Sequence, residues 1–262
     1  MLAVVAACSG GEHVGIDARS EPDVASDAIV DDDHDGLDDR VELQLAREYL
    51  PFVSLDPDDG CPRSGLVARV RKHPDDGTKI LIVYSHLFER DCGLNGHVGD
   101  NEAFGILIDP AIAAPGGILA IRTASHQNTL CERVTECTTC PGDGRIACDV
   151  AAEGGQLWPV LYASKGKHGQ YASRGECPLL GTCLDRCALN AARVRPPVVH
   201  VGEPAAPLTH DLTADGFITA ANGWTEAALM NHDPWNSAVD FGSAGNVAGD
   251  LADSAFTPAL CR

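Results

Sequence analysis

The sequence predicts a mainly β fold: a disulfide-stapled β-sandwich with long loops, preceded by an acidic loop and one short helix. Three observations lead there. Short β-branched and aliphatic runs recur between turn signals, the spacing of a sandwich. Glycine (27) and proline (16) are abundant, and helical periodicity is scarce. Eleven cysteines are present, seven of them in two segments without strand patterning.

Residues 9–30 are polar and acidic, with Pro22 and no periodicity, and read as a tether. Residues 31–42 are an aspartate-rich loop. Val41, Leu45 and Tyr49 then fall on one helical face, with Leu43, Ala46 and Leu50 beside it, and Pro51 ends the helix. Strand-like runs follow at Leu66–Val70, Ile80–Tyr84, Phe104–Ile108, Ile118–Thr123, Pro159–Ala163 and Val198–Val201. Residues 124–157 and 172–196 read as long loops that need staples. A short helix is expected at Thr225–Met230. The expected organisation is 1–8 leader, 9–30 tether, 31–50 loop plus helix, and 51–262 sandwich domain.

The first cysteine differs from the rest. Leu2-Ala3-Val4-Val5-Ala6-Ala7-Cys8, followed by Ser9-Gly10-Gly11, resembles the end of a bacterial lipoprotein signal peptide, although no Lys or Arg precedes Arg19. Lipidation of Cys8 would anchor the chain to a membrane and place it in the bacterial cell envelope, on the outer membrane or the periplasmic face. Ten cysteines then remain, an even number that suits a disulfide framework. Their pairing cannot be read from the sequence. Cys137-x2-Cys140 with Cys183-x3-Cys187 could instead hold zinc, but an oxidising compartment favours disulfides.

A net charge of −19 disfavours binding to nucleic acid through a basic patch and favours divalent cations. No apolar run is long enough for a helix to cross a bilayer. Asp31-Asp32-Asp33-His34-Asp35-Gly36-Leu37-Asp38-Asp39-Arg40-Val41-Glu42 fits D-x-D-x-D-G-x5-E without a gap. That spacing suits Ca²⁺, which takes six to eight hard oxygens. Asp31, Asp33, Asp35, the Leu37 carbonyl, Asp39 and a bidentate Glu42 would supply them, and Gly36 allows the sharp turn. No convincing entering helix precedes Asp31. The loop therefore resembles unpaired calcium loops of exported bacterial proteins and thrombospondin type 3 repeats more than a paired EF-hand.

A second constellation is Gly96-His97-Val98-Gly99-Asp100-Asn101-Glu102. On a strand Asp100 and Glu102 share a face, and Gly96 and Gly99 let His97 bend towards them. The motif resembles the core heptapeptide of the necrosis- and ethylene-inducing-peptide-like toxins, and Ser164–Tyr171 resembles their second block. The vacuolar protein sorting-associated protein 62 family is the closer likeness, over roughly residues 46–245. It is carried by Ala46–Pro51, His97–Glu102, Ser125-His126 and Tyr162–Gly169. The resemblance implies a β-sandwich with a pocket at one end. There Asp91, His97, Asp100 and Glu102 would hold a second divalent cation, Ca²⁺ or Mg²⁺, with His168 nearby. Asn101 and Gly99 stand where the toxins carry tryptophan and histidine, which weighs against toxin activity.

Three readings follow, one of them purely structural, in which calcium only holds the fold. The preferred one is a binding module for a polar ligand: a lipid head group, a glycan or a protein. The alternative is a metal-dependent hydrolase with His97, Asp100 and Glu102 as ligands and His168 as general base. Asn231–Trp235 reads as a turn that could line the same pocket.

Overall fold

The computed structural model describes residues 29–61, 63–93, 96, 98–127, 129–177, 185–188, 192–202 and 247–262. Cys8, most of the tether, His97, Thr225–Met230 and Asn231–Trp235 lie outside the described residues.

The fold is mainly β. A short helix, α1 (Asp39–Glu48), leads into β1 (Phe52–Leu55), β2 (Arg63–His73), β3 (Asp76–Arg90), β4 (Val98–Ile108), β5 (Ile118–Ser125) and β6 (Arg133–Thr138). Then come β7 (Val150–Glu153), β8 (Gln156–Ala163), β9 (Gln170–Tyr171), β10 (Ala192–Val194) and β11 (Val198–His200). A second helix, α2 (Val247–Ala252), and a 3₁₀ turn at Ser254–Phe256 follow. The larger sheet runs β11-β2-β3-β4-β5-β6, antiparallel except for the parallel β11–β2 pair. The smaller runs β10-β1-β8-β7, with β9 also on β8.

Alternation decides which residues form the core. Even-numbered residues of β2, β3 and β4 face the smaller sheet: Leu66, Ala68 and Val70, then Ile82 and Tyr84, then Phe104, Ile106 and Ile108. Val53, Leu55 and Leu161 meet them from the other side. The odd face of the larger sheet is covered in part by the C-terminal segment. A Cβ on Gly105 would lie 1.8 Å from the Phe256 carbonyl oxygen, so only glycine permits that approach. Arg122 Nε donates to the Ala255 carbonyl at 2.8 Å, and Asn101 Nδ2 donates to Asp250 at 2.5 Å.

Helix α1 packs into this core. Ala46, Tyr49 and Leu50 are buried with the sheet residues, and Tyr84 donates its hydroxyl to the Ala46 carbonyl at 2.8 Å. The segments read as long loops contain β6, β7 and β10, so the sandwich is larger than the sequence suggests.

Four disulfides join described cysteines: Cys61–Cys92, Cys137–Cys148, Cys140–Cys261 and Cys177–Cys187. Cys131 is disulfide-bonded as well. The zinc alternative falls with these pairings, because Cys137, Cys140 and Cys187 are each consumed by a separate bridge.

Candidate functional site

The acidic loop folds around its own carboxylates. Asp31 accepts from the Gly36 amide at 3.2 Å and Asp35 from the Leu37 amide at 2.7 Å, while Gly36 takes a φ of +84°. Asp38 turns away: it caps α1 by accepting the Arg40 amide at 2.9 Å. One oxygen each from Asp31, Asp33 and Asp39 lie within 4.8 Å of one another, and so do oxygens of Asp33, Asp35 and Glu42. Asp33 links the two groups.

Glu42 sits in the first turn of α1 and is fully buried, since α1 packs on β2 and β11. Among the described residues neither of its carboxyl oxygens meets an N–H donor at hydrogen-bond geometry, and the group that lies against it is the Asp39 carboxyl. His200 Nε2 stands 3.5 Å from Oε2, too far for a good bond. Burial first, then the charges of Asp35, Asp33 and Asp39, push the Glu42 carboxyl up to about 9. The loop is also clamped to the sandwich. Lys72 of β2 donates to the Gly36 carbonyl at 3.3 Å, and a Cβ at Gly202 would meet Asp33 at 2.8 Å. An all-oxygen donor set around a buried carboxylate fits a hard divalent cation such as Ca²⁺.

At the other constellation the inter-sheet core turns polar. The residues of β3 and β4 that continue the Tyr84–Phe104 face are His86 opposite Glu102 and Phe88 opposite Asp100. His168, on the turn between β8 and β9, inserts beneath them. It is wholly buried, with Nδ1 2.7 Å from Asp100 and Nε2 3.2 Å from Asp59. Its ring stacks on Phe88 at 3.9 Å, and its backbone holds a φ of +55°. Burial alone pushes the imidazolium down, but the hydrogen bonds to Asp100 and Asp59 outweigh it and raise His168 to about 9.

The structure brings His168 against Asp100 and puts Asp100 and Glu102 on one strand face. Asp91 accepts from Lys167 Nζ and the Gly93 amide, at 2.5 and 2.7 Å. The Cys61–Cys92 bridge ties the Asp59 and Asp91 loops together, and Cys92 donates its amide to the Gly166 carbonyl at 2.7 Å. Glu102 is pushed well above the carboxylate range by burial first and then by the charges of Asp100, Asp185, Asp250 and Asp91. A divalent cation here would compete with Lys167 for Asp91 and with His168 for Asp100. Among the described residues these carboxylates form no convergent group of three.

Sequence reasoning missed Asp59, Lys167 and Asp185. Asp185 is buried, accepts from the Tyr171 hydroxyl, and lies 2.6 Å from His126 Nε2. Nearby, Ser164 Oγ, both amide atoms of Gln170, and one oxygen each of Asp59 and Asp185 are buried without hydrogen-bond partners among the described residues. Asp59 reads as one more turn residue in Asp56-Pro57-Asp58-Asp59-Gly60, and nothing local marks Asp185.

No protein-family model matches the chain, and no curated protein does. Among solved structures, one described as "NLPPya in complex with glucosamine" is 14% identical, with a TM-score of 0.36, covering 60% of this chain and 71% of that one. Another, described as "Toxin fold for microbial attack and plant defense", is 15% identical with a TM-score of 0.34, covering 60% and 72%. A third, "NLPPya in complex with mannosamine", is 16% identical with a TM-score of 0.25, covering 53% and 80%. So slight a likeness assigns no function to this chain.

Proposed function

We propose that this protein is a calcium-binding β-sandwich module that takes a polar ligand at the acidic end of the sandwich. Glu42 carries the calcium part. A carboxylate with no N–H donor on either oxygen, buried against the carboxyls of Asp33, Asp35 and Asp39, is costly unless a cation or a proton neutralises it. Asp31, Asp33, Asp35, Asp39, Glu42 and the Leu37 carbonyl would hold the ion, which would staple the loop to β2 and β11. Calorimetric titration with Ca²⁺ tests this: one equivalent should bind to the wild type and none to Glu42→Gln. Unchanged stoichiometry in the variant removes the loop from the account.

The ligand part rests on the unpartnered polar atoms of Ser164, Gln170, Asp59 and Asp185 beside Glu102. Such a lining suits hydroxyl and amide groups of a glycan, lipid head group or peptide. The binding reading is favoured over the hydrolase for one reason. His168 is buried, charged near neutrality and engaged at both ring nitrogens, so it has no basic nitrogen to offer as a general base. Export as a lipid-anchored envelope protein is part of the proposal. The Ala6-Ala7-Cys8 junction and the density of disulfides support it.

A further inference from the structure

A cleft that shares no lining residue with either acidic site opens on the outer face of the smaller sheet. Leu161 and Ala163 face the core, so Tyr162 between them points outward from the smaller sheet. There it meets Val150, Asp149, the turn at Arg174–Glu176, and Arg133 at the start of β6, in a cleft of about 570 Å³. The Cys177–Cys187 bridge forms part of the wall and holds the turn in place.

Its charge departs from that of the chain, since the two arginines of the lining balance its two acids. Three arginines gather around Tyr162 and the cleft, in a protein whose net charge is −19. Arg133 and Arg174 line it, and Arg193 is close enough to act on the Tyr162 hydroxyl. The acidic groups are Asp149 and Glu176. Arg133 shares a 2.7 Å ion pair with Glu176 at the half-exposed rim. Asp149 accepts the Arg174 backbone amide at 3.0 Å and is hydrogen-bonded to the Tyr162 hydroxyl. The Arg174 guanidinium makes no ion pair among the described residues.

A planar guanidinium in a walled cleft is matched by a carboxylate, which it binds through two parallel hydrogen bonds. The neighbouring Asp149 and Glu176 oxygens accept from hydroxyl groups, and the Tyr162 ring with Val150 offers an apolar face to C–H groups. We infer that the cleft binds a carboxylated sugar, of the uronic acid type. Arg174 takes the carboxylate, and Asp149 and Glu176 take the hydroxyls. The volume admits one or two sugar rings.

Saturation-transfer NMR and calorimetry with sodium glucuronate, glucose and inorganic phosphate, at fixed ionic strength and calcium, test the inference. Glucuronate should bind one to one, with glucose and phosphate at least roughly tenfold weaker. Arg174→Gln should weaken glucuronate by roughly ten- to a hundredfold, the worth of a charge-assisted pair. Thermal melting should show that this variant folds, since the structural bond at residue 174 is made by its backbone. Arg133→Gln is the second variant, expected to weaken glucuronate less. Glu42→Gln should bind glucuronate like the wild type, which separates this site from the calcium loop. Equal binding of glucose or phosphate, binding that survives both arginine variants, or no binding at about 20 mM would each overturn the inference.

Discussion

Replacing Glu42 by glutamine should stabilise the calcium-free protein while abolishing its calcium binding. The folded carboxyl is held at about 9 against an ordinary 4.5. Between those values the folded state binds more protons than the unfolded one, so stability must fall as pH rises through that window. At pH 7 the cost is about 3 kcal/mol, from about 1.4 kcal/mol per pH unit over the interval from 4.5 to 7. Glutamine has the same shape and no charge, and its amide can donate to Asp33 or Asp35. The variant should therefore gain up to about 3 kcal/mol at pH 7 in EDTA and lose its share of the pH slope. If calcium replaces the proton at Glu42, its binding at pH 7 should release close to one proton. Urea unfolding in EDTA from pH 5 to 9 reads the first effect. Calorimetry in two buffers of different ionisation enthalpy reads the second. A variant no more stable than wild type at pH 7, or calcium binding without proton release, would refute the burial argument.

Three further outcomes are expected. His168→Asn leaves Asp100 and Asp59 buried without their cation and should cost about 3–5 kcal/mol. In calcium-saturated protein it should also remove a stability share that is full below pH 6.5 and lost as pH rises to about 9; an unchanged pH profile would show that His168 is not charged. Lys167→Met takes the counter-ion from Asp91, so a second divalent event should appear or tighten in calorimetry. If none is seen up to about 10 mM Ca²⁺ or Mg²⁺, Asp91, Asp100 and Glu102 are not a latent cation site. Cys8→Ser should release the protein from membranes, and persistent pelleting of the variant would end the lipoprotein proposal.

The aliphatic strands were legible because their alternation follows the expected rule. The β6 strand was not, because it inverts that rule. Val134 and Glu136 point outward while Thr135 and Cys137 are buried, and Thr135 spends its hydroxyl on Thr123 and the Ala172 amide. A strand whose inward residues are threonine and cysteine reads as loop. The four-residue β1 is buried along its whole length and shows no period at all. The acidic loop was legible as a tight turn of converging carboxylates, because its geometry is local and each position has its own chemistry. The acidic end of the sandwich was only half legible. Asp100 and Glu102 are two apart on one strand, but His168 meets Asp100 across 68 residues of sequence. The Lys167–Asp91 pair spans 76, and spacing says nothing about which charge answers which at that range.

The Cys140–Cys261 bridge has a consequence for how the molecule could come apart. It joins positions 121 residues distant, so everything between them is closed into a covalent ring. A protease that cut one peptide bond inside that ring would open it and separate nothing. Both pieces would stay on the same molecule, and the damage would show on a gel only after reduction. Arg145, bonded to the Ala259 and Leu260 carbonyls and to Asp143 and Glu136, would keep the cut ends of the sheet and the C-terminal segment in register meanwhile. For a protein proposed to work outside the cell, that is resistance to a first nick built into connectivity rather than into the strength of any contact.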